Sequence, residues 1–210
     1  MQSNLAETLC ELEQPRAALD LLNEALSVFR ELKDRFGEGN ALFLLSWANR
    51  ELGDMASALV AIEQAMVIAD AEENRVWQAH WLVELGKAQR AAGQSTEALI
   101  SYQRAASLQR QIGDRSREAQ AIEGAGQAYE DMGRVSEAID FYRTAVAAHR
   151  ALDDAWNLAR SLSLLADAIE RESASPQSRS QREEALALIA DFDDPLAEAL
   201  RQHLRTTRGE

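Results

Sequence analysis

The sequence predicts an all-α protein of about five antiparallel helical hairpins, closed by a C-terminal capping helix. Its 210 residues are rich in Ala, Leu, Glu, Gln and Arg, which favour helices, and include only three prolines and ten glycines. A sixteen-residue pattern occurs three times, at 51–66, 91–106 and 131–146, so each copy starts 40 residues after the one before. Each copy has glycine at its third position, where a left-handed residue would end one helix and allow a turn into the next.

The first helix of each hairpin ends near that glycine and carries a small residue where the second helix should pack. This small residue lies seven positions before the glycine and is Ser46, Gly86 or Gly126. No hairpin of this kind can bury its apolar face alone, so neighbouring hairpins are expected to stack.

The second helix of each hairpin presents a small–bulky–small series along one face, because residues three, four and seven apart are neighbours on a helix. The three series are Ala58, Ile62 and Ala65, then Ala98, Tyr102 and Ala105, then Ala138, Tyr142 and Ala145. The alanines allow close approach, so we expect Tyr102 to lie in tight contact with Gly86. Ser95 and Ser136 are the predicted N-caps of two of these helices.

Upstream, the same register extends to Leu5–Ala6, Ala18, Leu22 and Ala25. The first helix would span about residues 3–11 and would start almost at Met1. This predicts either a fragment of a longer protein or a natural start with a shortened helix. Its apolar stripe at Leu5, Leu9 and Leu12 is expected to pack on the following helix, with a dimer contact as the alternative.

Downstream, the register reaches Leu165–Ala166 and is then expected to be interrupted. The segment RESASPQSRSQ at 171–181 is rich in Ser, Arg and Pro and predicts a loop. Ala185–Leu186 would resume the pattern seven residues late. Helices are expected over about 180–190 and 195–204, the second starting at Pro195, so that this end caps the array.

Taken together, these residues resemble the tetratricopeptide repeat (TPR) family over nearly the whole chain. The likeness rests on the Leu85–Gly86 pair, on Tyr129 three residues after Gly126, on the turn glycines and on the Ala–Tyr–Ala series. The period of 40 departs from the usual 34. The turns between hairpins are similar to those of kinesin light chain, of bacterial Rap-type peptide sensors, and of TPR tails on bacterial signalling ATPases and transcription regulators.

The resemblance implies a right-handed superhelix, or α-solenoid, in which the first helices of the hairpins line a concave groove. It also implies a division of the chain. The array would occupy 1–172, with repeats at about 1–36, 37–73, 74–114 and 115–154 and the first helix of a fifth at 155–172. A loop, a degenerate last hairpin and the capping helix would follow at 173–210.

Charge and composition limit the expected partners and location. Lys and Arg number 22 against 35 Asp and Glu, which gives a net charge of −13. Such a chain is poorly suited to neutralise phosphates or to bind anionic membranes, so neither nucleic acid nor membrane is an expected partner. The single cysteine, Cys10, excludes an internal disulfide, and no membrane span or signal peptide is recognisable, so a cytoplasmic location is expected.

No set of residues predicts catalysis. The three histidines are far apart in sequence, and the chain has no HExxH motif, phosphate-binding glycine loop or nucleophile elbow. The GAGQAY segment at 124–129 falls inside a repeat helix, where small residues serve packing. The paired acids Glu72–Glu73 and Asp153–Asp154 belong to turns and are expected to be solvated. We therefore predict a protein that is not an enzyme and needs no metal or cofactor.

By the family resemblance, residues beside the core positions of each first helix face the groove, where family members commonly bind peptides or helices. The predicted groove residues are Asn40, Phe43, Trp47, Arg50, His80, Val83, Lys87, Arg90, Gln120, Glu123, Gln127 and Arg160. Lys87 and Arg90 could pair with an acidic segment or a C-terminal carboxylate. For Phe43 and Trp47 two hypotheses remain open, a binding hot spot in the groove or burial against neighbouring helices.

Three functions are compatible with these observations. The predicted function is a non-catalytic scaffold that binds a peptide or protein segment in the groove. The first alternative is a regulatory or sensor segment of a larger bacterial signalling or transcription-regulating protein. The second is a self-associating structural module, whose partner would be a second copy in a homodimer. The two-Lys, two-Asn, one-Arg clamp with which some family members bind chaperone C-termini is absent from the groove positions, so a chaperone adaptor is not expected.

Overall fold

The computed structural model describes residues 15–173 and 176–206, and the regular elements in these ranges are all α-helices. This confirms the predicted fold class of helical hairpins. Ten helices follow one another in the described ranges: α1 (Pro15–Leu32), α2 (Arg35–Glu51), α3 (Met55–Ala71), α4 (Arg75–Ala91), α5 (Ser95–Ile112), α6 (Arg115–Asp131), α7 (Val135–Ala151), α8 (Ala155–Glu172), α9 (Pro176–Leu188) and α10 (Pro195–Thr206). None of them is both long and apolar enough to cross a membrane.

The chain forms two compact units, Met1–Ile112 and Gly113–Glu210. In the N-terminal unit, α2 pairs with α3 and α4 pairs with α5, while α1 packs on α2 and α3 packs on α4. In the C-terminal unit, α6 pairs with α7 and α8 pairs with α9, while α7 packs on α8 and α10 packs on α9. Each unit therefore buries the apolar faces of its hairpins by stacking one hairpin on the next.

The predicted tight contact between the two helices of a hairpin is confirmed. A Cβ added to Gly86 would lie 2.8 Å from Cε1 of Tyr102, and one added to Gly126 would lie 2.7 Å from Cε1 of Tyr142. Both tyrosines are buried. Glycine is needed at these two positions because the tyrosine ring occupies the space that any side chain would take.

The predicted serine caps are wrong. Ser95 is the first residue of α5, and Ser136 lies inside the first turn of α7. The residue directly after each turn glycine already bonds back to the preceding helix, as the N–H of Arg134 does to the carbonyl of Tyr129 at 2.9 Å. Helix α5 therefore starts one residue earlier, and α7 two residues earlier, than its serine would allow as an N-cap.

The predicted interruption of the repeat after Leu165–Ala166 is also wrong. Helix α9 begins at Pro176, and its buried residues Ser178, Arg182 and Ala185 lie 40 positions after Ala138, Tyr142 and Ala145. Arg182 thus takes the place of the bulky tyrosine. Its Nη1 is 2.7 Å from Oε2 of Glu170, just as Oη of Tyr142 donates to Oε2 of Glu130, 40 positions earlier, at 2.8 Å. The buried guanidinium is tolerated because Glu170 and Asp167 both pair with it.

At the N-terminal end, the predicted register is confirmed in α1, where Ala18, Leu22 and Ala25 are buried. The other predictions for this end concern Leu5–Ala6, the stripe at Leu5, Leu9 and Leu12, and Cys10. All of them lie outside the described residues.

Candidate functional site

The N-terminal unit brings eight of the predicted groove residues together on adjacent helices. Helices α2 and α4 are the first helices of successive hairpins, and the rings of Phe43 and His80 connect them, with centroids 4.8 Å apart. We call the outward residues of these two helices the N-terminal face. They are Asn40, Phe43, Trp47 and Arg50 of α2 and His80, Val83, Lys87 and Arg90 of α4.

Trp47 is half-buried, so neither hypothesis for it is met in full. The tryptophan that fills the core is Trp81, which is 1% exposed. Its ring packs against the backbone of Gly39, where an added Cβ would overlap the indole. The sequence does not predict this contact, although a glycine inside a helix is a signal of close approach. Because Trp47 is only half-buried, part of its side chain lies on the N-terminal face.

A buried carboxylate behind the N-terminal face was also missed. Glu84 of α4 is buried, and its Oε1 accepts a hydrogen bond from Nε of Arg50 at 3.0 Å. Burial raises the pKa of Glu84, while Arg50 and Lys87 oppose this rise. Burial in turn acts to lower the pKa of Arg50, but the Glu84 carboxylate outweighs it and the net shift is upward. The charge of Arg50 is thus neutralised inside the protein.

Lys87 and Arg90 supply the remaining positive charge of the N-terminal face. Nζ of Lys87 lies 3.9 Å from Oε2 of Glu84, and half of its side chain is exposed. Arg90 lies beside the buried hydroxyl of Tyr102 from α5; burial raises the pKa of that tyrosine, and Arg90 opposes the rise. Lys87 is thus an exposed cation on the face that also carries the half-buried rings of Phe43, Trp47 and His80, and cations with aromatic rings are a common composition of protein-binding sites.

In the C-terminal unit the remaining predicted residues behave differently. Gln120, Gln127 and Arg160 are partly exposed, but Glu123 is 5% exposed. Oε1 of Glu123 pairs with Nη2 of Arg160 at 3.1 Å, and its Oε2 accepts a bond from Oγ of Ser161 at 2.6 Å. Contrary to expectation, Glu123 therefore serves as an internal acceptor between α6 and α8. The polar partner on α8 explains its burial.

The turn acids are not all solvated as expected. Asp153 is exposed, but Asp154 is half-buried and its Oδ1 caps α8 by accepting from the backbone N–H of Asn157 at 3.2 Å. Burial acts to raise the pKa of Asp154, but the two hydrogen bonds from Asn157 outweigh it and the pKa is lowered. Within the described residues, no three His, Cys, Asp or Glu side chains come together as a metal site would require.

His149 is a titratable group that the predicted site did not include. It is fully buried in α7, and neither ring nitrogen has a hydrogen-bond partner among the described residues. Its Nδ1 lies 3.6 Å from Oδ2 of Asp154. Burial lowers the pKa of His149, the carboxylates of Glu123 and Asp154 oppose this, and Arg160 adds to the lowering. The folded state therefore favours the neutral imidazole.

We expect the C-terminal unit to lose stability on mild acidification because of His149. The unfolded chain binds a proton near pH 6.5, whereas the folded chain binds it only at lower pH. The free energy of unfolding should therefore decrease as the pH falls from about 7 to about 5. Urea unfolding of the parent and of His149→Gln across this range measures the effect. A variant whose pH dependence matches that of the parent would contradict this role of His149.

The comparisons with known proteins agree with the fold. A tetratricopeptide repeat model matches residues 1–71 and 77–151, which is more than half of the chain. The chain belongs to the tetratricopeptide repeat family. Tetratricopeptide repeats are protein-interaction scaffolds, generally without catalytic activity. No curated protein matches the chain.

Several solved TPR structures share the fold at low sequence identity. One is of kinesin light chain TPR-like repeats from Podosopora anserina, with a TM-score of 0.71, 19% identity, and coverage of 91% of this chain and 95% of that one. Another is of a STAND-type signal transduction ATPase with a TPR sensor from Pyrococcus horikoshii. Its TM-score is 0.78 and its sequence identity 20%, and the match covers 99% of this chain and 30% of that one. The structure of a Rap protein complexed with Competence and Sporulation Factor has a TM-score of 0.73 and 14% sequence identity. The match covers 99% of this chain and 62% of that one.

Proposed function

We propose that this TPR chain is a non-catalytic interaction module that binds a peptide or protein segment on the N-terminal face. The observation that carries the proposal is the half-buried Trp47 on the same face as the Phe43–His80 ring pair. Aromatic side chains that are partly ordered by their neighbours bury a large area on binding at a small cost in conformational entropy.

The charge of the face favours a ligand with an acidic segment. Lys87 has half of its side chain exposed, and Arg90 lies one turn further along α4. Two cations at the edge of an aromatic surface can pair with side-chain carboxylates or with a C-terminal carboxylate. An acidic ligand is notable here, because the chain as a whole has a net charge of −13 and would repel it elsewhere.

A second candidate is a sensor or regulatory segment within a larger signalling protein. The comparison with the Pyrococcus horikoshii protein favours it, because 99% of this chain matches only 30% of that chain, which is a signal transduction ATPase with a TPR sensor. Peptide binding on the N-terminal face is compatible with this candidate, since a sensor must also bind a signal.

We expect Trp47→Ala to abolish peptide binding while leaving the fold intact. A random peptide display library selected on the parent should enrich sequences that combine apolar and acidic residues. The same selection on Trp47→Ala should not enrich them, because the aromatic contact is lost. Lys87→Glu should remove the acidic preference but keep the apolar one, because it reverses a charge without removing a ring. Anisotropy titration of the enriched peptides measures both effects.

Ile100→Ala is the matched control, since Ile100 is an exposed apolar residue on α5, a helix that carries none of the residues of the N-terminal face. It should bind the enriched peptides like the parent. Equal enrichment on the parent and on Trp47→Ala would overturn the proposed site. Far-UV circular dichroism of each variant separates loss of binding from loss of fold.

A further inference from the structure

A second groove of the N-terminal unit lies on the side of α2 opposite to the N-terminal face. It has a volume of about 560 Å³ and is bounded by α1 and α3, with α2 as its floor. The floor residues Leu42, Leu45 and Asn49 point away from Phe43 and Trp47, because successive helical residues are about 100° apart. We call this the α1–α3 groove.

The shape of the α1–α3 groove fits a helix. Its α1 wall consists of Leu19, Asn23, Leu26 and Arg30, which lie three or four residues apart and form one ridge. From first to last this ridge is about 16 Å long, or three helical turns. Val60 and Ala61 of α3 form the opposite wall. A helix that places apolar side chains at a spacing of three and four residues can pack between two such walls.

Helix α3 exposes two valines among the polar residues of its outer side. Val60 and Val67 point outwards and are 54% and 68% exposed, while Ala58, Ile62 and Ala65 fill the core on the other side. Large apolar side chains that line a groove at the surface favour a partner that covers them. The equivalent position to Val60 in the C-terminal unit is Asp140, which is exposed and polar. This wall is therefore a local feature of the N-terminal unit.

The charges around the α1–α3 groove determine which helix it would accept. Helix α3 has two acidic residues, Glu63 and Asp70, and no basic one, and α1 has three acids against two bases. Arg30 is the one cation among the described residues that line the groove, and its Nε is bonded to Glu38 at 3.0 Å. This described lining contains no Asp or Glu, but the exposed residues of α1 and α3 include five acids against two bases, so the rims of the groove are net negative and complement basic side chains on the flanks of a bound helix.

The polar groups of the α1–α3 groove also favour a basic ligand. The amide nitrogens of Asn23 and Asn49 donate to the carbonyls of Leu19 and Leu45, each at 2.8 Å. Their amide oxygens are acceptors, which suit the N–H donors of Lys and Arg. We propose that the α1–α3 groove binds an amphipathic helix of a partner protein, with an apolar face of about three turns and Lys or Arg on its flanks.

The test uses a fluorescein-labelled model helix of leucine and lysine, about five turns long, with leucines at i, i+3, i+4 and i+7. A glutamate version replaces every lysine. Fluorescence anisotropy should show binding of the lysine helix to the full chain, and binding of the glutamate helix weaker by about tenfold or more. Absence of binding of the lysine helix, or equal binding of the two, would overturn the proposal.

Val60→Lys and Val67→Lys form a matched pair on the same exposed side of α3, but only Val60 lines the groove. Val60→Lys should weaken binding of the lysine helix about tenfold, and Val67→Lys should change it by less than about twofold. Equal weakening by both substitutions would show that the added positive charge repels the lysine helix without regard to the groove, and would overturn the proposal. Trp47→Ala should leave this binding unchanged, so failure at this groove is distinguishable from failure at the N-terminal face.

A photo-crosslinking residue at position 60 identifies the occupant. Crosslinks to the lysine helix support the proposal. Crosslinks formed instead to residues 1–14 of the same chain, or to a second copy, would show that the groove is already filled by another segment and would overturn it.

Discussion

Gly86→Leu is expected to destabilise the N-terminal unit by about 3 kcal/mol. Even a Cβ at this position would lie 2.8 Å from two ring atoms of Tyr102, and Tyr102 is fully buried between α4 and α5. The larger side chain must either push the helices apart or force the ring out of its rotamer, and both lose packing across the whole hairpin. Urea unfolding followed by far-UV circular dichroism measures the loss.

A double-mutant cycle assigns this loss to the contact itself. Tyr102→Leu makes room opposite position 86, so Gly86→Ala should cost less in that background than in the parent. Ala17→Leu on the exposed side of α1 is the control for added bulk, and it should change the free energy of unfolding by less than about 0.5 kcal/mol. A Gly86→Leu protein that unfolds at the same urea concentration as the parent would contradict the packing register.

Arg182→Ala is expected to cost the C-terminal unit about 3 kcal/mol. The guanidinium is 4% exposed and bridges two acids of α8, with Nη2 at 2.9 Å from Oδ1 of Asp167 and Nη1 at 2.7 Å from Oε2 of Glu170. Removing it leaves two carboxylates without their partner and opens a cavity between α8 and α9. Asp167 also contacts Nε2 of His203 at 2.7 Å, so α10 should loosen as well.

Arg182→Tyr tests the repeat register at the same position. If α9 continues the 40-residue register, a tyrosine there should fill the space and donate to Glu170, as Tyr142 donates to Glu130. Arg182→Tyr should therefore be more stable than Arg182→Ala. Arg179→Ala, at an exposed position of the same helix, should behave like the parent. Tyrosine and alanine variants of equal stability would show that the two positions are not equivalent.

The sequence by itself determined the helical hairpins, their 40-residue spacing and the contact between Gly86 and Tyr102. These features depend on residues within one hairpin, where a period of three to four positions places side chains on one helix face. Small residues facing a bulky one determine how closely the two helices approach. Such local patterns are visible without the tertiary structure because both partners lie within about twenty residues of each other.

Only the tertiary structure decided which polar and aromatic residues are committed to the interior. Arg50 and Glu84 come from different hairpins, and their pairing removes one cation from the predicted binding site. Trp81 rather than Trp47 fills the core, because Gly39 of the neighbouring hairpin leaves space for its ring. Arg182 occupies a tyrosine position that a search for aromatic residues could not recognise. The burial of Glu84 and Trp81 depends on a partner from another hairpin, and no local pattern in the sequence marks such a partner. Arg182 is held within its own hairpin, but its partners are acids and not the small residue that faces a tyrosine.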